Sequence, residues 1–253
     1  MNRPRVVCTI EARMGSTRLP KKTLLPILGE SLLYRCVERM RLPKLVKEVV
    51  VATSTSPKDD VLADFCEQKS IACFRGSEDD VLGRVVAAAT KHGADIIVQQ
   101  GADCPLADPG LTDELLGIFL KGGYHYVAND MKLTYPEGID AHVIDVPSLV
   151  EAAEKATRPA QREDTPRYLW DHPERFKIFN LEAPPELRRP DLRVTVDYAE
   201  DIEVVREIYK ELYPSNPRFS TKDVLALVDR RPELLAINKH CEQKSAAYVP
   251  QKS

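Results

Sequence analysis

Nothing in this 253-residue sequence provides for a membrane span, a disulfide scaffold or a nucleic-acid surface. No apolar run approaches the roughly 20 residues that a helix needs to cross a bilayer. No charged-then-apolar segment opens the chain, so a cytoplasmic protein is expected. The cysteines (Cys8, Cys36, Cys66, Cys73, Cys104 and Cys241) fall into no CxxC or Cys/His metal spacing, and are expected as reduced thiols. A formal net charge of −3 argues against general nucleic-acid binding, which normally needs a basic face. There is no internal repeat and no low-complexity tract. What remains is an ordinary globular composition, 43% hydrophobic and 30% charged, in a chain long enough for one sizeable core.

Apolar runs alternate with periodic, helix-like segments through the first half. Strands are expected at Val6–Ile10, Val49–Thr53, Ile71–Phe74 and Ala94–Gln99. Helices are expected at Leu32–Met40, Pro57–Gln68, Asp80–His92 and Leu111–Leu120. Continuous apolar strands between amphipathic helices predict a parallel sheet covered on both faces. The second half is less regular. Strands are expected at Tyr124–Val127, Ala141–Val146, Phe176–Leu181 and Leu192–Val196, with helices at Ser148–Ala156, Ala199–Tyr213 and Thr221–Val228. The Pro-rich stretches Thr157–Pro173 and Ala183–Pro190 read as connecting arms of the kind that pack on another subunit. The polar tail from Asn238 to Ser253 carries no periodicity and reads as frayed.

The charge is unevenly placed. Between Arg13 and Lys22 stand four basic residues and no acid, just after the first strand. In an open parallel sheet, ligands sit outside the carboxyl ends of the strands, and this loop is a usual phosphate site. Gly15 permits close backbone approach, Ser16 and Thr17 offer hydroxyls, and Arg13, Arg18, Lys21 and Lys22 offer cations suited to phosphate oxygens. The loop is neither GxxxxGK[ST] nor GxGxxG. A solvated basic loop is the plainer alternative, but placement after strand one favours a polyphosphate site.

The stretch Glu11–Leu24, EARMGSTRLPKKTL, resembles the RxGSxRLPxK signature of the cytidylyltransferases, a group with CMP-Kdo synthetases, acylneuraminate cytidylyltransferases and SpsF-type spore-coat polysaccharide proteins. It departs from the SpsF form with Glu11 for Gln and Lys21 for Gly. Further resemblances are Arg75–Leu82 to FRGSEDDVL, Gly101–Leu106 to GDCPL (with Ala102 for Gly), Tyr135–Ala141 to PxGxD, Arg162–Pro166 to REHVT (with Asp164 for His), and Leu192–Asp201 to LTVDTPEDL.

The resemblance implies a Rossmann-like α/β/α sandwich of three layers with a mixed, mainly parallel sheet, of the nucleotide-diphospho-sugar transferase type. The resemblance covers roughly Val6 to Tyr213, and a single nucleotidyltransferase domain is expected at 1–237 with a dimerisation and acceptor arm at about 130–180. It implies transfer of a nucleoside monophosphate, CMP from CTP by preference, to a sugar acid or sugar phosphate for surface polysaccharide or glycoconjugate synthesis, with loss of pyrophosphate. Partners so implied are a nucleoside triphosphate, a sugar or sugar-acid acceptor and a second copy of the chain; nucleic acid and membranes are not. Catalysis would rest on Arg13, Lys22 and Asp103, and Mg²⁺ on Asp103 and Asp197. Nucleotide contacts would come from Ala12, Arg13, Gly15, Ser16, Arg18 and Lys22 in the loop, and from Thr53, Arg75, Asp80 and Gly101 beyond it. Acceptor contacts would come from Asn129, Glu137, Asp140 and Arg162.

Local alternatives stay open. Asp197 with Glu200 also makes a helix cap, as do Ser77 and Asp80. Arg84 could pair with Asp80 within its helix, and Tyr135–Ala141 could be a plain turn. His125, His142 and His172 fit no Ser/His/Asp or metal-ligand pattern and read as structural. At the level of function, a GTP-using sugar-1-phosphate guanylyltransferase, a glycosyltransferase of similar fold and a non-catalytic nucleotide-binding module remain as rivals. Asp103-Cys104-Pro105 does not match the DxD pair that the glycosyltransferase would use.

Overall fold

A computed structural model describes residues 3–242. The expected frayed tail lies outside the described residues from position 243 onward.

The first strand, β1 (Val6–Glu11), is apolar except at Thr9 and Glu11 and is buried on both sides. Val6, Cys8 and Ile10 join one core, whereas Val7 joins another with Val50 and Ile97, as the two-residue period of a strand requires. A tight hairpin, β2 (Pro26–Ile27) and β3 (Glu30–Ser31), leads into α1 (Leu32–Met40), whose N-cap Ser31 accepts from the amide of Tyr34. Then follow β4 (Val46–Ser54), α2 (Asp60–Gln68), β5 (Ala72–Gly76), α3 (Val81–Lys91), β6 (Ile96–Gly101) and α4 (Pro109–Gly122). Next come β7 (Tyr126–Ala128), β8 (His142–Asp145) and α5 (Val146–Lys155), and then α6 (Pro159–Glu163), α7 (Arg167–Asp171), β9 (Ile178–Asn180), α8 (Ala199–Leu212), α9 (Thr221–Arg230) and α10 (Glu233–Ile237).

The main sheet runs β5-β4-β1-β6-β8-β7-β9. The four strands β5, β4, β1 and β6 are parallel, β8 is antiparallel to both β6 and β7, and β9 is parallel to β7. The core on one face gathers α1, α2, α4, α8 and α9; that on the other gathers α3, α5 and α7. The expected three-layer mixed sandwich is what the chain forms. Because β1, β4 and β6 are parallel, their carboxyl ends open on one edge, where Glu11 pairs with both Ala52 and Gly101.

Several local expectations are corrected. Leu192–Val196 is extended but makes only an isolated bridge, Arg193 with Glu137. Its hydrogen bonds go to Glu137 (2.9 and 2.8 Å) and to Asp103 O (2.9 Å), so it is a connector rather than a ladder strand. The stretch Thr157–Pro173 folds into α6 and α7. Its apolar residues Tyr168, Leu169 and Trp170 are buried in the chain's own core and do not need a second subunit to cover them. Asn238 is also anchored: it is buried, and its amide donates to Arg193 O (3.1 Å) and Asp201 Oδ1 (2.9 Å).

Candidate active site

The loop that leaves β1 wraps a cleft of about 370 Å³ at the strand ends. Ala12, Arg13, Gly15, Ser16, Arg18 and Lys22 line it, joined from β6 by Gly101 and Asp103 and from the segment before α8 by Asp197. The loop is pinned at several points. Met14 N donates to Asp59 Oδ1 (2.7 Å), Thr23 Oγ1 to Arg13 O (3.1 Å) and Leu19 N to Ser16 Oγ (3.3 Å). Asp59 is buried and also accepts from Ser54 Oγ (2.5 Å), so the end of β4 supports the loop. A Cβ at Gly15 would meet no protein atom within 4 Å, which leaves that backbone open to a ligand.

Lys21 stands at φ 60°, ψ 17°, immediately before a 3-10 turn at Lys22–Leu24. That left-handed conformation favours glycine, and it accounts for the Gly of the resembled signature at this position. Ala102, the other small departure, has no positive φ and is tolerated without strain.

Two carboxylates meet one ammonium group. Lys22 Nζ lies 2.8 Å from Asp103 Oδ2, 2.8 Å from Asp197 Oδ1 and 2.8 Å from Val196 O. Gly101 makes room for this, because a Cβ there would stand 2.4 Å from Asp103 Oδ1. Asp197 also accepts from Arg18 (2.7 Å) and, through Oδ2, from Arg193 (2.8 Å). Burial opposes its charge, yet Lys22, Arg193 and Arg18 outweigh burial and hold its pKa below the usual carboxylate range. Burial likewise opposes the charge of Lys22, and Asp103 and Asp197 outweigh it to raise its pKa. The cap reading of Asp197 does not hold. Tyr198 is the N-cap of α8, and Asp201 reaches back to the amides of Asp197 (2.8 Å) and Tyr198 (2.9 Å), so the Asp197 carboxylate is left to face the cleft.

Arg18 lies 5.4 Å from the centre of the Tyr198 ring, and its Nη1 is buried with no hydrogen-bond partner. Arg84, read from sequence as an intrahelical partner of Asp80, instead points into the cleft and donates to Ser77 O; its buried Nε also lacks a partner. Unpaired buried donors are costly, and two guanidiniums so placed make the cleft receptive to an anion. No spacing rule separated Arg84 from an ordinary i,i+4 pair.

Glu11, at the end of β1, also lines the cleft. It is held by Thr165 Oγ1 (2.7 Å) and Gln99 Nε2 (2.9 Å), and burial raises its pKa. From Gln99 the chain of contacts runs through His142 (2.6 Å) to Asp130 (2.9 Å). His142 thus has a polar network that sequence did not suggest.

The remaining predicted residues divide. Asp80 caps α3 through Gly83 N (2.9 Å) and pairs with Arg162 (3.3 Å). Both line an adjoining cavity of about 670 Å³ that shares Arg13, Val81 and Glu163 with the cleft. Residues assigned to the nucleotide and to the acceptor therefore share one space. Thr53 is buried inside β4, away from the cleft. Arg75 turns to Ser54 O (2.9 Å), Ser56 O (3.1 Å) and Asp60 (2.6 Å) instead of lining it. Asn129 is buried, and its amide is bonded to Ile139 O (3.1 Å) and Ala141 N (3.0 Å), so it braces the turn. In that turn Gly138 has φ +94° and lies so near Thr195 that a Cβ would meet its amide at 2.4 Å. Asp140 accepts from Gly138 N (2.8 Å) and lies 3.8 Å from Cys104 Sγ; Glu137 lies 3.9 Å from Arg193. Neither lines the cleft, though both stand on the side of Asp103 and Asp197.

Known proteins are similar to the chain over most of its length. An uncharacterized protein of Methanocaldococcus jannaschii is 30% identical over 241 residues, covering 95% of this chain and 97% of that one. The spore coat polysaccharide biosynthesis protein SpsF of Bacillus subtilis is 32% identical over 235 residues, covering 90% and 95%. A solved cytidylyltransferase structure from Leptospira borgpetersenii superposes with a TM-score of 0.85 at 30% identity, covering 92% and 97%. The cytidylyltransferase family model matches residues 7–218, and the chain belongs to that family.

Proposed function

We propose that the cleft binds CTP with Mg²⁺ and transfers CMP to a sugar acid or sugar phosphate. The observation that carries the reading is the meeting of Asp103 and Asp197 on Lys22, at 2.8 Å each, on the wall of a cleft floored by a basic loop.

Mg²⁺ prefers hard oxygen ligands, one or two carboxylates among them, with phosphate oxygens and water making up the rest. Asp103 and Asp197 suit that habit, and Asp197 is held in its ionised form. When bound, the ion would neutralise charge on the triphosphate. The chain's own residues would do the rest. Arg13, Arg18 and Lys22 would hold the β- and γ-phosphates, and the open backbone at Gly15 would let the loop close on them. An acceptor oxygen attacks the α-phosphorus, the bond to the bridging oxygen breaks, and pyrophosphate leaves with its charge held by the loop cations. A phosphate oxygen of the acceptor needs no general base. The nucleoside extends into the adjoining cavity of Asp80 and Arg162, and the acceptor approaches from the side of Glu137 and Asp140. A homodimer is a further proposal that rests on the resemblance alone, and sedimentation at micromolar concentration tests it.

The test of function is pyrophosphate release from CTP and Mg²⁺ in the presence of a panel of sugar acids and sugar phosphates, repeated with GTP, ATP and UTP. Acceptor-dependent release with CTP preferred supports the reading. Preference for GTP would make the chain a guanylyltransferase by substrate. No release with any pair would overturn it.

A further inference from the structure

At the start of α8, three donors of different kinds converge. Glu200, His240 and Cys241 each place one ligand atom within 4.8 Å of the other two. His240 Nε2 lies 3.4 Å from Glu200 Oε1. That is long for a charged hydrogen bond, which runs at about 2.7–2.9 Å. It matches the edge of a tetrahedron, about 3.3–3.4 Å for nitrogen and oxygen ligands about 2.0–2.1 Å from a zinc ion.

The chain segment that brings these residues together is held independently of any ion. Asn238 is tied to Arg193 O and Asp201, Cys241 N donates to Asn238 O (2.9 Å), and Tyr198 Oη donates to Glu242 O (3.3 Å). Cys241 also borders a cavity of about 400 Å³ with Arg193, Asn238 and Lys239, which leaves space beside the sulfur for water. The donor set is selective. A thiolate with an imidazole and a carboxylate suits zinc, whereas Mg²⁺ and Ca²⁺ avoid sulfur.

We infer that Glu200, His240 and Cys241 form a zinc site, completed by water, that fastens the chain after α10 to the first turn of α8. This site is separate from the carboxylate pair of the cleft and does not depend on the proposed reaction. Its structural consequence falls on the cleft wall. The segment it secures touches Tyr198, and Tyr198 carries Arg18 on its ring face. Zinc would therefore stiffen the support of a loop cation, as structural zinc contributes directly to folding free energy.

The experiment uses the full chain with any affinity tag removed and metal stripped by a chelator. Zinc is titrated against a chromophoric competitor, bound zinc is counted by elemental analysis, and cobalt is substituted to read the coordination. One equivalent of zinc is expected, with a rise in melting temperature. Cobalt should show a thiolate charge-transfer band and the intense visible bands of a tetrahedral ion. Loss of a first-sphere ligand should weaken zinc by no less than the about 10- to 100-fold that loss of an outer-sphere partner costs. His240→Ala, Cys241→Ser and Glu200→Gln are each expected to do so, with unchanged circular dichroism, while Cys73→Ser leaves binding intact. Absence of zinc binding by the natural chain, absence of a thiolate band, or affinity in His240→Ala and Cys241→Ser equal to that of the natural chain would each overturn the assignment.

Discussion

Asp103 and Asp197 come from chain segments far apart in sequence, yet each accepts a hydrogen bond of 2.8 Å from the same Lys22 nitrogen. The sheet makes this possible. Asp103 follows the carboxyl end of β6, Lys22 returns from the loop after the neighbouring β1, and Asp197 is set by the bond from Val196 N to Asp103 O (2.9 Å). The three groups are thus fixed by backbone before any ligand arrives, which is the preorganisation that charge-neutralising catalysis needs.

Arg18 links that centre to the anion side of the cleft. Its Nη2 pairs with Asp197 at 2.7 Å while Nη1 is buried without a partner. Arg18→Ala should weaken CTP binding by about 1.5–3 kcal/mol, the scale of a hydrogen bond to a charged group. Calorimetric titration of CTP with Mg²⁺ checks it. Unchanged affinity in Arg18→Ala, Arg13→Ala and Lys22→Ala alike would show that triphosphate does not bind this loop.

Lys21 carries a conformational cost that glycine would not. At φ 60° a side chain crowds the following carbonyl, at about 1–2 kcal/mol. Glycine has greater freedom in the unfolded chain, which returns part of that gain. Lys21→Gly is therefore expected to stabilise the fold by up to about 1 kcal/mol. Denaturant midpoints at constant slope measure it, and a clear loss of stability would mean that the Lys21 side chain makes a contribution larger than the strain.

The network behind the loop sets a pH dependence. Burial opposes the charge on His142, but Asp130, with Asp140 and Asp164 beyond it, raises its pKa to about 9. Burial raises Glu137 to about 7, and burial raises Asp140 and Asp164 to about 6. All four groups hold protons more tightly in the folded chain than in the unfolded one. Their stabilising contribution is present at low pH and is lost as pH rises. For His142 it is complete below the unfolded value near 6.5 and gone above about 9. Denaturation at pH 6 and pH 9.5 should show a loss of about 1–3 kcal/mol, and His142→Gln should flatten the upper part of the curve. Stability that climbs over this interval would contradict the pairing of His142 with Asp130.

Much of the architecture was legible in the sequence because burial on both faces makes strands continuous and apolar, as Val6–Ile10 and Val49–Thr53 show. The basic loop stood out because its cations crowd into a net-acidic chain, and it does line the cleft at the strand ends. What failed was legible only in three dimensions. Leu192–Val196 has a strand's composition, but its partners are single residues of two different segments. Pro residues around Tyr168–Trp170 suggested an arm, whereas two short helices bury that trio against α5 and β7. Glu200 and Asp201 are both placed to cap α8 after Asp197, and sequence spacing alone could not show that Asp201 does so and frees Asp197. The resemblance implied contacts from Thr53, Arg75 and Asn129, but their side chains are respectively buried in β4, turned to Asp60 and engaged by the backbone.

Asp103 and Asp197 are expected to make CTP binding dependent on Mg²⁺. The most direct measurement is calorimetric titration of CTP into the natural chain, Asp103→Asn and Asp197→Asn, each with Mg²⁺ and with a chelator. Asn keeps the size of Asp but removes the charge, and circular dichroism confirms that the fold is retained. The account predicts that Mg²⁺ tightens CTP binding to the natural chain by at least about tenfold, equivalent to about 1.4 kcal/mol, and that either substitution removes most of this gain. Equal CTP affinity with and without Mg²⁺ in the natural chain, or an undiminished Mg²⁺ effect in both variants, would contradict it.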